Sequence, residues 1–318
     1  AFVCNDCGAD FPKWQGQCGE CQAWNTLSEI RLSAPAAKAA NARAAGLSGY
    51  AGTVAAVQRL EEVAVVDLPR LASGFDELDR VLGGGFVPGS SILIGGHPGA
   101  GKSTLLLQAL CQLAAAHPAL YVTGEESPEQ IALRANRLGL PTDQLRLMAE
   151  TDVDAILASA ESLKPKILVV DSIQVVHSET LTSAPGSVSQ VRDCAAQLTR
   201  HAKQTGTILI LVGHVTKDGS LAGPKVLEHM IDCSILLEGD HDSRYRTLRG
   251  QKNRFGAVNE LGIFAMTDTG MREVTNPSAI FLDRSEHNCA GHDRSRGLGG
   301  HAPPAGRNSG ACRRQLTE

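Results

Sequence analysis

Short runs of apolar residues alternate with longer amphipathic stretches between residues 67 and 282. The runs are rich in Val, Ile and Leu and predict strands, whereas apolar residues at helical spacing predict helices in between. The predicted strands are residues 91–95, 119–123, 166–171, 207–213 and 233–238. The predicted helices are residues 102–116, 128–138, 153–162 and 188–205. This alternation predicts an α/β fold with a mostly parallel sheet covered on both faces.

The regions around this core have other compositions. Residues 1–30 are rich in Cys and Gly, and residues 31–66 are dominated by Ala, so we expect a small separate domain followed by a mobile linker. After Glu238 the pattern predicts antiparallel strands that close the edge of the sheet. Residues 283–318 contain two leucines but no Val, Ile, Met or aromatic residue, so we expect a disordered, atypical tail.

Composition narrows the cellular setting. No apolar run approaches the ~20 residues of a membrane span, and the N-terminus lacks the pattern of a secretory signal, so we expect a cytoplasmic protein without a membrane partner. The formal charge of −4 and the pI near 6.2 do not indicate nucleic-acid binding, although a local basic loop can lie on an acidic protein. The odd total of nine cysteines fits a reducing compartment.

Four of these cysteines form two CxxC pairs, Cys4 with Cys7 and Cys18 with Cys21. Each CxxC turn directs two thiolates at one point, and two such turns complete a tetrahedral site for structural Zn²⁺. A redox CxxC and an iron–sulfur site are the alternative interpretations. We therefore predict a zinc ribbon at residues 1–30, with metal that contributes to folding.

Residues 96–103 match the phosphate-loop pattern GxxxxGK[ST], and they follow a predicted strand and open a predicted helix. Backbone amides of such a loop and the helix N-terminus cradle phosphates, and Lys102 is expected to reach the β- and γ-phosphates of ATP. Ser103 is expected to supply a hydroxyl to Mg²⁺. A coincidental glycine-rich turn is the alternative. The predicted ATP-binding residues are Gly96, His97, Pro98, Gly99, Ala100, Gly101, Lys102, Ser103 and Thr104.

Four further side chains lie at the ends of predicted strands, at the same edge of the sheet. Asp171 ends an apolar strand and is predicted to hold Mg²⁺, although such an acid is often a helix cap. Glu125 and Glu126 follow the predicted strand at residues 119–123. We favour Glu125 as the carboxylate that activates water, and a solvated pair of charges before a helix is the alternative. His214 is a candidate γ-phosphate sensor or a satisfied buried histidine.

Several longer segments of the sequence together resemble one protein family. LASGFDELDRVLGGGFVPGS before the phosphate loop, GEES, AGPKVLEHMID and KNRFG at 252–256 together resemble the bacterial RadA/Sms DNA-repair ATPases, from residue 2 to about 282. The resemblance implies a RecA-like P-loop core that forms a homo-hexameric ring. It also implies ATP-driven branch migration on single-stranded DNA and on branched recombination intermediates, beside a RecA-type recombinase filament. The family has a further C-terminal domain like the Lon protease fold, which residues 283–318 do not resemble.

The resemblance also implies roles for single residues. Lys252 and Arg254 would project into the ATP site of a neighbouring subunit, and a local salt bridge is the alternative. DNA would follow two loops, at 178–192 and 217–229, with Arg192, Lys217 and Lys225 as candidate phosphate contacts or ordinary surface charges. The resemblance therefore implies a DNA-dependent ATPase and recombination helicase. A slow nucleotide-dependent switch or adaptor and a RecA-type strand-exchange recombinase are the alternatives.

Overall fold

A computed structural model describes residues 2–11, 13–29, 59, 69–214, 227–239 and 243–276. All but Asn276 belong to the first of two units, residues 1–275. The predicted tail, Lys217, Lys225 and, apart from Arg59, the predicted linker lie outside the described residues. None of the helices among the described residues is long and apolar enough to cross a membrane.

The N-terminal segment forms a small antiparallel sheet of three strands among the described residues, in the order β2-β1-β3. The strands are β1 (Phe2–Cys4), β2 (Asp10–Phe11) and β3 (Leu27–Glu29). Cys4, Cys18 and Leu27 form its small buried core. Because so few apolar side chains are buried, this segment depends on another source of folding energy, which a bound metal can supply.

Within the described residues of the core, nine strands form one sheet in the order β12-β11-β10-β9-β4-β8-β7-β5-β6. The strands β4 to β9 pair with one another in parallel, and β10, β11 and β12 continue the sheet from β9 in antiparallel fashion. The strands are β4 (Ser91–Gly96), β5 (Ala119–Thr123), β6 (Arg146–Ala149), β7 (Ile167–Asp171), β8 (Ile208–His214), β9 (Cys233–Glu238), β10 (Tyr245–Asn253), β11 (Leu261–Thr267) and β12 (Gly270–Glu273). The predicted α/β fold and its antiparallel edge are confirmed.

Helices cover both faces of this sheet. The described helices are α1 (Asp76–Leu82), α2 (Lys102–Ala114), α3 (Pro128–Arg137), α4 (Val153–Leu163) and α5 (Val188–Thr205). α1, α2 and α3 pack on one face, whose core includes Leu78, Leu105 and Ile131. α4 and α5 pack on the other face, around Ile156 and Leu198. Burial on both faces explains why strands such as β4 and β8 read as continuous apolar runs.

Local sequence fixes where several helices begin. Ser127 caps α3 in a capping box with Gln130, and Pro128 occupies the first turn, where its missing N–H costs nothing. The Asp152 side chain caps α4, and Ser187 caps α5.

Two elements of the structure, α1 and β6, are absent from the sequence prediction. The predicted helices 102–116 and 128–138 end slightly earlier in the structure, at Ala114 and Arg137.

Candidate functional site

The loop between β4 and α2 lies at the carboxyl edge of the parallel strands. Gly101 precedes the helix with φ near 103°, and a Cβ there would lie 2.4 Å from Cε of Met271. A Cβ on Gly96 would lie 2.4 Å from the carbonyl oxygen of Leu237. Glycine is therefore required at both ends of the loop. The first-turn amides of α2 lie beside the loop, where they favour an anion.

Lys102 is buried within this loop. Its Nζ donates to the carbonyls of Gly96 at 2.7 Å and His97 at 3.0 Å, and lies 3.4 Å from Nδ1 of His214. Burial lowers the pKa of Lys102, and the carboxylates of Asp171 and Glu125 act in the opposite direction. The ammonium is thus held by the loop carbonyls, near enough to Asp171 and Glu125 to feel their charge.

Asp171 ends β7 and accepts two hydrogen bonds on the same carboxylate oxygen. Oγ of Ser103 donates at 2.6 Å and the hydroxyl of Tyr121 at 2.5 Å. Burial and the nearby Asp171 charge raise the pKa of Tyr121 well above its ordinary value, so this phenol remains a donor. A hydroxyl and a carboxylate held together are oxygen ligands of the kind that Mg²⁺ prefers, so Ser103 and Asp171 fit that ion.

Glu125 and Glu126 have different partners. Glu125 accepts from the buried Ser172 hydroxyl, and its Oε1 lies 3.2 Å from Nε2 of His214. Glu126 forms an ion pair with Arg134 of α3. The structure therefore directs Glu125 toward the Asp171 strand and Glu126 toward a helix.

A cavity of about 430 Å³ joins these groups. The strands that end around it are neighbours in the order β4-β8-β7-β5, so their carboxyl ends meet at one edge. Predicted residues that line the cavity are Pro98, Gly99, Gly101, Lys102, Ser103, Thr104, Glu125, Asp171 and His214, and the rival candidate Glu126 lines it as well. Lining residues that the sequence prediction missed are Thr123, Arg134, Arg137 and Met266. Gly96, His97 and Ala100 belong to the same loop.

Lys252 and Arg254 lie apart from this cavity. Lys252 lies near the end of β10 and donates to the carbonyls of Glu228 and, at 2.8 Å, Ile231. Arg254 follows the strand and forms an ion pair with Asp232 at 3.0 Å. Within one chain both cations therefore hold the segment 228–232, and the local salt bridge is present.

The candidate DNA contacts are only partly described. Arg192 is an exposed residue of α5. The loop before it is ordered by the buried Gln190, whose Nε2 donates to carbonyls of Ser178 at 3.2 Å and Ser183 at 2.9 Å. The second predicted loop is described only from Leu227 onward. The role of these residues in binding DNA stays a prediction.

The four predicted zinc ligands converge. Their sulfur atoms all lie within 4.8 Å of one another, with 3.6 Å between Cys4 and Cys21 and 3.5 Å between Cys7 and Cys18. A tetrahedral site with Zn–S bonds of about 2.3 Å needs sulfurs roughly 3.8 Å apart, so the set fits zinc. Burial raises the pKa of Cys4, but hydrogen bonds from Thr26 and the amides of Cys7 and Asp6 outweigh it and lower the pKa to about 6.

This fold and this loop define a P-loop nucleotide-binding protein that also carries a zinc ribbon. Residues 56–220 match the model of the AAA domain, and residues 2–29 match that of the rubredoxin metal binding domain. The chain belongs to the RadA family of AAA domain proteins. It is 63% identical over 291 residues to DNA repair protein RadA of Escherichia coli (strain K12). The aligned region covers 92% of this chain and 63% of that protein.

Other relatives give the same result. The chain is 46% identical over 303 residues to DNA repair protein RadA of Bacillus subtilis (strain 168). The aligned region covers 95% of this chain and 65% of that protein. The RadA protein of Haemophilus influenzae is 64% identical over 292 residues, with 92% and 63% covered. The chain thus spans just under two thirds of the length of these relatives. The resemblance stated from sequence is confirmed.

Proposed function

We propose that this chain is a magnesium-dependent ATPase of DNA repair that uses ATP hydrolysis to move on single-stranded DNA and to drive branch migration of recombination intermediates. The observation that supports hydrolysis is the meeting of Lys102, Ser103, Glu125 and Asp171 around one cavity. The DNA role is supported by the relatives, which are DNA repair proteins. The bacterial cytoplasm is the proposed location.

Binding of ATP would use the loop backbone first. The backbone N–H groups of the loop, all but that of Pro98, which has none, would hold the phosphates together with the N-terminus of α2. Lys102 would exchange its bonds to the loop carbonyls for bonds to phosphate oxygens. Ser103 and Asp171 would hold Mg²⁺, which supplies charge that neutralises the β- and γ-phosphates. The buried Tyr121 hydroxyl would fix the orientation of Asp171.

Hydrolysis would then depend on Glu125. Its carboxylate would orient a water molecule and take its proton while the water oxygen bonds to the γ-phosphorus and the bond to the ADP oxygen breaks. The hydroxyl of Ser172 donates to Glu125 from a buried position and would help to orient the carboxylate. His214 contacts both Lys102 and Glu125, and in this proposal it would sense the γ-phosphate.

The remaining proposals concern assembly and DNA. Lys252 and Arg254 would act on the ATP site of a neighbouring copy in a homo-hexamer, and Arg192, Lys217 and Lys225 would contact DNA phosphates in the ring channel. A RecA-type recombinase filament is the proposed partner of the protein, and the zinc ribbon would serve as a binding module.

ATP turnover with and without single-stranded DNA tests the proposal, with Lys102→Ala as the matched control for contaminating ATPase. We expect turnover that DNA stimulates and that Lys102→Ala abolishes, together with branch migration on a three-stranded substrate. Slow turnover that DNA does not change would favour the switch or adaptor. Strand exchange without any added recombinase would favour the RecA-type alternative.

A further inference from the structure

Asp232 is a buried carboxylate that joins three parts of the core. It is 2% exposed and directly precedes β9. Its Oδ2 accepts from the backbone amide of Ser91, at the start of β4, at 3.1 Å. Nζ of Lys203, in the last turn of α5, lies 3.0 Å from Oδ1 and 3.1 Å from Oδ2. Arg254 donates to the same carboxylate through NH1 at 3.0 Å, and its amide donates to the Asp232 carbonyl at 3.0 Å.

Two cations therefore share one negative charge. Lys203 bonds to both carboxylate oxygens and is itself largely buried, so its charge can balance Asp232 without Arg254. Arg254 keeps about half of its side chain exposed. Among the described residues, Asp232 is the one hydrogen-bonding partner of the Arg254 guanidinium. Because a guanidinium has five N–H donors in a planar fork, most of them remain available to a further anion.

Arg254, held by Asp232, cannot reach the phosphate loop of its own chain. Asp232 bonds to Ser91 at the amino end of β4, whereas the loop begins at Gly96, at the carboxyl end. Five residues of strand separate the two ends by about 17 Å. Arg254 therefore lies at the opposite edge of the sheet from its own nucleotide site.

We propose that Asp232 is a positioning residue, which holds NH1 of Arg254 so that the remaining guanidinium N–H groups face a phosphate bound to a second copy of this chain. The proposal rests on the proposed ATPase function and on the action of Arg254 between subunits. Asp232 itself touches no substrate. Its effect on catalysis passes entirely through Arg254, which separates it from an ordinary structural carboxylate.

A double-mutant cycle tests this coupling in the full chain. DNA-stimulated turnover is measured for wild type, Arg254→Ala, Asp232→Asn and the double variant, with kcat and the KM for ATP determined separately. We expect kcat to fall by about 10²-fold in Asp232→Asn, as for a cation misplaced by about 1 Å, with little change in KM. The double variant should be no slower than Arg254→Ala. Independent losses that multiply in the double variant would overturn the proposal.

Lys203→Met is the matched control, because it removes the other cation from the same carboxylate but leaves Arg254 in place. We expect it to lower the melting temperature and to retain the wild-type kcat. Should Asp232→Asn fail to fold, Arg254→Lys replaces it in the test. A lysine offers one compact charge, so Asp232 should capture it and turnover should fall as in Arg254→Ala. Full turnover of Arg254→Lys would overturn the proposal.

The same measurements distinguish failure of the Asp232 role from failure of the Arg254 role and of the proposed ATPase function. Normal turnover in Arg254→Ala would remove both the intersubunit role of Arg254 and the role of Asp232. Slow turnover in Arg254→Ala with normal turnover in Asp232→Asn would remove the role of Asp232 alone. Wild-type protein that does not hydrolyse ATP would remove the proposed function and this inference together.

Discussion

Gly83 and Gly256 pack backbone against backbone. A Cβ on Gly256 would lie 2.9 Å from Cα of Gly83, and a Cβ on Gly83 would lie 3.1 Å from Cα of Gly256. This contact joins the turn after α1 to the turn that follows Arg254. Arg70 spans the same two turns, because it donates to the carbonyls of Gly83 and, at 2.6 Å, Phe255. The turn that carries Arg254 is therefore fixed to the frame of its own chain.

Gly256→Ala should disturb this turn. The added methyl group would meet backbone rather than a movable side chain, so we expect a loss of about 1–3 kcal/mol, as for overpacking. Urea unfolding of the core measures it. Gly250→Ala is the matched control in β10, because its Cβ would meet Cγ1 of Val81 at an ordinary 3.6 Å. Equal effects of the two substitutions would contradict the prediction.

Sequence periodicity predicted the central strands because burial on both faces makes them uniformly apolar. It missed α1, which has only seven residues, three of them acidic, and whose helical pattern is therefore short. It also missed β6, a four-residue edge strand with partly exposed side chains and no continuous apolar run. Both elements are defined by tertiary contacts, α1 through β10 and β11, and β6 through its pairing with β5.

The phosphate loop, Asp171 and Glu125 could be proposed because each belongs to a local pattern at a strand end. Ser172, Tyr121 and Asp232 could not. Tyr121 lies inside an apolar strand and reads as core, and its bond to Asp171 spans 50 residues. Asp232 meets Ser91 across 141 residues of chain, a distance that local spacing cannot reveal.

Cys18→Ser should release zinc while the ATPase core stays folded. The substitution removes one of four thiolates that converge within 4.8 Å, and the small buried core of the ribbon cannot compensate for the metal. Metal analysis and thermal unfolding of the same sample measure the two effects. Cys111→Ser is the control, since this buried thiol belongs to the α2 core and should alter stability without loss of zinc. Iron in place of zinc, or no metal in reduced wild-type protein, would contradict the prediction.

Glu125→Gln should retain ATP binding and stall hydrolysis, because an amide cannot accept the proton of the attacking water. We expect turnover to fall by at least about 10²-fold, the usual contribution of a positioned general base. Glu126→Gln is the matched control, because Glu126 forms its ion pair with Arg134 instead. Nucleotide affinity and single-turnover hydrolysis separate binding from chemistry. The opposite pattern would make Glu126 the catalytic residue.

His201 should make the core less stable in mild acid. Burial lowers its pKa, with Glu161 acting weakly against this, and its Nε2 has no hydrogen-bond partner among the described residues. The unfolded chain therefore takes up a proton near pH 6.5 that the folded chain refuses. The stability that the folded chain gains from the neutral His201 is fully present above pH 6.5. It is lost as the pH falls from there toward the lower pKa of His201 in the folded protein.

Unfolding free energies at pH 7.5, 6.5 and 5.5 measure this loss. His201→Leu should flatten the pH dependence, since it removes the titrating ring and leaves an apolar group in its place. His117→Leu, after the end of α2, controls for the removal of a histidine elsewhere. An unchanged pH dependence in His201→Leu would contradict the assignment.

The last prediction is that Arg254 acts in trans. It is anchored at the amino edge of the sheet by Asp232, whereas the phosphate loop follows Gly96 at the carboxyl edge, so no nucleotide in its own chain is within reach. A cation that stabilises the transition state of phosphoryl transfer can raise turnover by ~10³-fold or more.

Arg254→Ala and Lys102→Ala should therefore each be inactive alone. In mixed rings, however, some sites combine the intact loop of an Arg254→Ala subunit with the intact Arg254 of a Lys102→Ala neighbour. DNA-stimulated ATPase should recover in part as the two variants are mixed, with a maximum at intermediate ratios. Mixing Arg254→Ala with a Lys102→Ala, Arg254→Ala double variant is the control, because no site in those rings has both groups. Proven co-assembly without recovery would leave Arg254 with the Asp232 salt bridge as its whole role.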